Sequence, residues 1–129
     1  MSTRKIITDL DVPGFQTLFK NIGNNIIILK FTATWCKPCN KIKPLVDEWF
    51  KKLPVNIVIV ELDIDDTVDL YASLKTKKMV NGIPVLLAYY EPSTREAAHW
   101  FIPSDSVTGV DNMKVNDFFN RIQIKAAIM

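Results

Sequence analysis

Ile26-Ile27-Ile28-Leu29-Lys30-Phe31-Thr32-Ala33-Thr34-Trp35-Cys36-Lys37-Pro38-Cys39 is the stretch on which the fold turns. Ile26 to Thr32 is an apolar, β-branched run of the kind that forms a strand covered on both faces. Beyond the cysteines, Ile42, Leu45, Val46, Trp49, Phe50 and Leu53 recur at helical spacing. Pro44 lies inside that helix and predicts a kink. The cysteines therefore fall at a strand-to-helix switch. Cys36 sits at the helix N-terminus, where unsatisfied N–H groups and the dipole stabilise a thiolate. Cys39 is one turn in, within reach for a disulfide. Lys37 adds a positive charge beside the first sulfur. Pro38 is tolerated because first-turn N–H groups have no helical partner.

Outward from this centre, strands and helices alternate. Lys5 to Leu10 reads as a first strand. Asp11 then caps a helix that carries Phe15, Leu18, Phe19 and Ile22 on one face. Val55 to Leu62 is the next strand, and the acidic run Asp63 to Asp66 suits the start of a helix. That helix covers Thr67 to Lys75, with Val68, Tyr71 (or Leu70) and Leu74 inward. Gly82-Ile83-Pro84 precedes a strand from Val85 to Tyr90. Ala97 to Ile102 reads as a strand pairing back in a hairpin, and Pro103 to Gly109 as a loop. Met113 to Ile124 is the last helix, with Val115, Phe118, Phe119 and Ile122 inward. The order predicts one α/β domain over residues 1–129, a central mixed β-sheet flanked by helices on both faces.

Composition removes other classes. The 129 residues are 48% hydrophobic and 23% charged, values of a globular chain. No apolar run approaches the ~18 residues of a membrane helix. A net charge of +2, carried by 13 Lys and 3 Arg, supplies neither the field nor the bidentate donors for nucleic acid. Met1 to Asp9 lacks an apolar signal segment, so no secretion is expected. Cys36, Cys39 and the single His99 are too few for a disulfide framework or a tetrahedral zinc site. They favour a redox pair in a reducing compartment. Trp49 is assigned to the core, and His99 is expected to have no catalytic role.

With these residues in place, the sequence resembles the thioredoxin family. The likeness runs through Phe31 to Cys39, Lys41-Ile42-Lys43-Pro44, Leu62-Asp63-Ile64-Asp65-Asp66, Gly82-Ile83-Pro84 and Gly109. It implies the thioredoxin fold and a cytoplasmic thiol–disulfide oxidoreductase, a protein-disulfide reductase acting in electron transport and cell redox homeostasis. Cys36 would be the nucleophile, Cys39 the resolving thiol and Pro84 a cis-proline facing them. Trp35, Lys37, Pro38, Ile64, Ile83 and Gly109 would form the client surface, with the backbone of Ile83 pairing with an extended client segment. The resemblance also implies no bound cofactor, a monomer, protein disulfides as clients and an NADPH-dependent thioredoxin reductase as electron source. The alternatives are a disulfide oxidase or isomerase, and a binding module without catalysis.

Two departures stand out. Members of the family usually carry a buried aspartate five residues before the tryptophan; here that position is Lys30, and the matching position on the neighbouring strand is Glu61. Lys30 is a candidate catalytic residue, as a buried cation favouring thiolates or as a neutral proton acceptor for Cys39. The competing reading bends it to the surface along its apolar stem. The chain is also longer than the family between Asp65 and Pro84, and between Pro84 and Gly109. The segment Pro103 to Thr108 is expected at the rim of the client groove, tuning client or reductase choice, or else is a tolerated surface insertion.

Overall fold

A computed structural model describes residues 4–129; Met1 to Thr3, on which part of the leader reading rests, lie outside the described residues. The elements are β1 (Ile6–Ile7), α1 (Val12–Lys20), β2 (Ile26–Thr32), α2 (Lys37–Lys52), β3 (Ile57–Asp63), α3 (Val68–Thr76), β4 (Val85–Tyr89), β5 (Asp105–Thr108) and α4 (Asn112–Ile128). The strands form one sheet in the order β1-β3-β2-β4-β5. β1, β3 and β2 run parallel, while β4 and β5 are antiparallel to their neighbours. This is the mixed α/β sheet that the alternating pattern predicts.

β2 is the spine. Its residues from Ile26 to Phe31 are all buried, because each face is covered by helices. Ile26 and Ile28 pack with Ile42, Val46 and Phe50 of α2 and Phe118, Phe119 and Ile122 of α4. Ile27, Leu29 and Phe31 face the other way, onto Phe15 and Phe19 of α1 and Leu70 and Leu74 of α3. The period of two in the strand and of 3.6 in the helices meet at these two cores. Lys30 falls on the α2 side, among the apolar residues.

α1 begins at Asp11, whose Oδ1 accepts from the Gly14 N–H at 2.8 Å. α2 runs without interruption through Pro44, whose missing N–H leaves the carbonyl of the exposed Asn40 without a helical donor.

Several boundaries differ from the sequence reading. The first strand shrinks to Ile6–Ile7, since β1 pairs on one side only and Thr8 and Asp9 turn to solvent. Val55 is 97% exposed and belongs to the turn before β3. In α3 the buried residues are Leu70 and Leu74; Val68, 62% exposed, points outward.

The larger correction concerns the segment after β4. Ala97 to Ile102 is not a strand: two short 3-10 turns, Pro92–Thr94 and Ala97–His99, lead into an irregular stretch. The last strand lies in the predicted loop Pro103–Gly109, where Val85 pairs with Thr108 and Ala88 with Asp105. An edge strand of four residues needs few apolar side chains, and here only Val107 turns toward the core while Asp105 is tied to Arg121 of α4 at 2.8 Å. The apolar Trp100, which suggested a strand, instead packs at a tilt against Phe15 of α1 with ring centroids 5.9 Å apart.

Candidate active site

The end of β2 and the start of α2 place the two cysteines. Cys36 is the N-cap of α2 in an extended conformation, and its Sγ accepts the Cys39 N–H at 3.2 Å. Cys36 and Cys39 are joined as a disulfide with Cα atoms 5.2 Å apart. Cys36 is 5% exposed and Cys39 1%, so the first cysteine is the less buried of the two. Because Pro38 has no N–H and the first-turn amides lack helical acceptors, the Cys39 N–H is free to point at sulfur. The same geometry stabilises a thiolate at Cys36 once the bond is reduced.

The other predicted residues gather around this pair. Ile64, after β3, and Ile83, before β4, both pack on the cluster formed by Ala33, Cys36 and Cys39. The Ile83–Pro84 peptide bond is cis. The Pro84 carbonyl accepts from the Gly109 N–H at 3.0 Å, and Gly109 holds φ +99°, a left-handed conformation that suits glycine. Lys37 and Pro38 are exposed on the first turn of α2. Trp35 is 63% exposed, a large apolar ring left in water beside the disulfide.

One partner escaped the sequence reading. Asp65 Oδ2 accepts from Trp35 Nε1 at 2.8 Å, so the acidic run is not a helix start but a turn that fastens the tryptophan. The turn is braced by the Asp65 N–H donating to Asp63 Oδ1 at 2.8 Å. The surroundings of Lys30 decide between the two readings given for it. Its side chain is not at the surface: it is 1% exposed, and its Nζ donates to Glu61 Oε1 at 3.3 Å across the paired register of β2 and β3. Glu61 in turn lies 4.0 Å from Lys43 Nζ of α2. Trp49 is structural, donating from Nε1 to Asn116 Oδ1 at 2.8 Å and stacking on Phe119. His99 is exposed in the second 3-10 turn.

The family model described as Thioredoxin matches residues 7–99, a span that contains the dithiol, Trp35 and the cis-proline. The chain belongs to the thioredoxin family. It is 37% identical to the thioredoxin of Ophiophagus hannah over 75 residues, covering 58% of this chain and 69% of that one. Against the thioredoxin of Oryctolagus cuniculus it is 37% identical over 66 residues, 51% of this chain and 62% of the relative. The aligned stretch thus spans roughly two-thirds of these relatives' length. Solved thioredoxins share the fold over nearly the whole chain. That of Malassezia sympodialis superposes with a TM-score of 0.67 at 16% identity, covering 94% of this chain and 96% of that one. A Plasmodium falciparum thioredoxin gives 0.65 at 22%, covering 90% and 85%. In this thioredoxin-family chain the Cys36–Cys39 pair is therefore a thiol–disulfide oxidoreductase centre.

Proposed function

We propose that the chain reduces disulfides in extended segments of protein clients, and that its electrons come from an NADPH-dependent thioredoxin reductase. The observation that carries this reading is the placing of the disulfide. It lies at the exposed N-terminus of α2, between the solvent-exposed Trp35 and the cis Ile83–Pro84 bond.

In the reduced protein the Cys36 thiolate attacks one sulfur of the client disulfide. A Cys36–client bond forms and the other client sulfur leaves as a thiolate. Cys39 then loses its proton and attacks Cys36 Sγ. The Cys36–Cys39 bond forms, the Cys36–client bond breaks, and two electrons have passed to the client. Trp35, Ile64, Ile83 and Gly109 form the apolar bed for the client chain, and Lys37 and Pro38 shape its edge. The backbone next to Pro84 pairs with the client as an added strand. No bound cofactor takes part, since the sulfurs carry the electrons.

A chain whose only cysteines are this pair suits a reducing compartment, and we place it in the cytoplasm as a monomer serving electron transport and redox homeostasis. The test is insulin-disulfide reduction with dithiothreitol, followed by the same assay driven by NADPH and a thioredoxin reductase. Acceleration in both assays supports the reading. Acceleration with dithiothreitol alone removes the proposed electron source, and none in either leaves a binding module.

A further inference from the structure

The segment Lys77 to Pro84 joins α3 to β4, and both of its ends are held. The Met79 N–H donates to the Leu74 carbonyl at 2.8 Å, and Val80 is buried in the α1-side core. Ile83 packs on the cluster of Ala33, Cys36 and Cys39, and the Pro84 carbonyl accepts from the Gly109 N–H. Between these anchors lies Asn81-Gly82, outside any helix or strand and with Asn81 exposed. Asn81 is the one asparagine of the chain that precedes a glycine. Asn21, Asn40 and Asn56 spend their side-chain amides on backbone carbonyls. Among the described residues, neither the Asn81 side chain nor the Gly82 N–H has a hydrogen-bond partner. Glycine has no Cβ to keep its backbone nitrogen from the preceding side chain, and its backbone turns freely. An asparagine amide and the next amide nitrogen can therefore meet here.

We propose that Asn81 is a self-modification site, converting to isoaspartate, and that this change displaces the client-binding backbone at Ile83. The Gly82 nitrogen gives its proton to solvent and attacks the carbonyl carbon of the Asn81 side chain. The new C–N bond forms, the bond from that carbon to the side-chain nitrogen breaks, and ammonia leaves. The product is a succinimide. Water then opens the ring at either carbonyl. Opening at the side-chain carbonyl gives aspartate in an ordinary chain. Opening at the backbone carbonyl routes the chain through the side chain, as isoaspartate, and lengthens the backbone by one carbon. Both products carry a carboxylate in place of a neutral amide, and the only co-reactant is water. Because Val80 and Pro84 are held, Gly82 and Ile83 must take up the added carbon. Ile83 lies beside the dithiol, and the effect on clients rests on the proposed pairing of its backbone with them.

The experiment ages the folded wild type in mildly alkaline buffer at physiological temperature, beside the urea-denatured chain and folded Asn81→Gln. Ion exchange separates products by their added charge, and peptide mapping locates them. The folded wild type is expected to convert at position 81 within about tenfold of the denatured rate, because an exposed loop opens at little cost. Asn81→Gln should resist, since its longer side chain closes a larger ring far more slowly. The purified isoaspartyl form is expected to reduce insulin about fivefold more slowly, as for the loss of one backbone hydrogen bond to the client. Asn81→Asp carries the charge without the added carbon and should keep the unmodified rate. Asn81 staying intact in the folded protein while the denatured chain converts would overturn the site. An isoaspartyl form as fast as the unmodified protein, or an Asn81→Asp variant as slow as the isoaspartyl form, would overturn the displacement of Ile83. Mapping needs no client, so unmodified protein inactive on insulin would remove the reductase reading and leave the site to stand or fall on the map.

Discussion

Trp35, though largely in water, is fastened by a hydrogen bond from its Nε1 to Asp65 across the gap between β2 and β3. A large ring held still loses little entropy when a client chain lies against it. Asp65→Ala frees the ring, and a hydrogen bond to a charged group contributes about 1.5–3 kcal/mol when buried, less at an exposed site. The expected result is a roughly fivefold slower reaction with protein disulfides, from about 1 kcal/mol of lost preorganisation. Reduction of a small disulfide such as cystine should be unchanged. An equal loss on both substrates would mean that Asp65 acts on the dithiol instead.

Cys36 is expected to be the reactive thiol. It caps α2 and is the less buried residue of the two, whereas Cys39 lies inside the first turn. Iodoacetamide given to the reduced protein near neutral pH should modify one cysteine rapidly, and peptide mapping should find it at Cys36. Preferential labelling of Cys39 would reverse the assignment.

Arg95 is a polar anchor of the segment between β4 and β5. Arg95 donates to the carbonyls of His99 and Ile102 and to Ser104 Oγ, and its guanidinium lies 5.1 Å over Phe19. Arg95→Ala is expected to cost about 1–3 kcal/mol, because two carbonyls and a hydroxyl lose a charged donor together. Melting should fall by several degrees. Insulin reduction measured well below the melting point should not change, since the anchor lies on the α1 side of the sheet, away from the dithiol. A loss of activity without a loss of stability would show that this segment reaches the client groove.

Tyr89 predicts the alkaline limit of stability. It is fully buried in the α1-side core and donates its hydroxyl to the Phe101 carbonyl at 3.0 Å. Burial pushes its phenol well above the usual tyrosine range, and the nearby Arg95 only partly offsets this. The raised value in the folded state means the folded protein keeps a proton that the unfolded chain gives up. This contribution is complete below the unfolded value of about 10 and declines as pH rises beyond it. Denaturant midpoints should therefore fall above about pH 10, and less steeply in Tyr89→Phe. Equal slopes for both proteins would assign the decline to other groups.

The dithiol and both cores were legible because their signals are local. Ile26 to Thr32 is an uninterrupted apolar run, and Phe15 with Phe19, or Val115 with Phe118 and Phe119, repeat at helical spacing. Asp105 to Thr108 was not legible. A short edge strand needs one inward side chain, Val107, and its polar partners read as a loop, while Trp100 and Phe101 offered a better strand by composition. Shortening Pro103–Thr108 therefore removes β5 and should lower stability, the reverse of what a rim loop predicts. The Trp35–Asp65 bond was hidden for another reason: it joins residues about thirty positions apart, and only the parallel approach of β2 and β3 brings them together. The pairing of Lys30 with Glu61 was legible from the resemblance, and the register of the two strands bears it out.

The central claim is that Cys36 exchanges disulfides with proteins and Cys39 resolves the product. Cys39→Ser, reduced and mixed with oxidised insulin, tests it directly by non-reducing mass spectrometry. The account predicts a stable one-to-one adduct whose linking peptide joins Cys36 to an insulin cysteine, no such adduct with Cys36→Ser, and free insulin thiols with the reduced wild type. No covalent adduct in Cys39→Ser, with wild type leaving insulin oxidised, would contradict it.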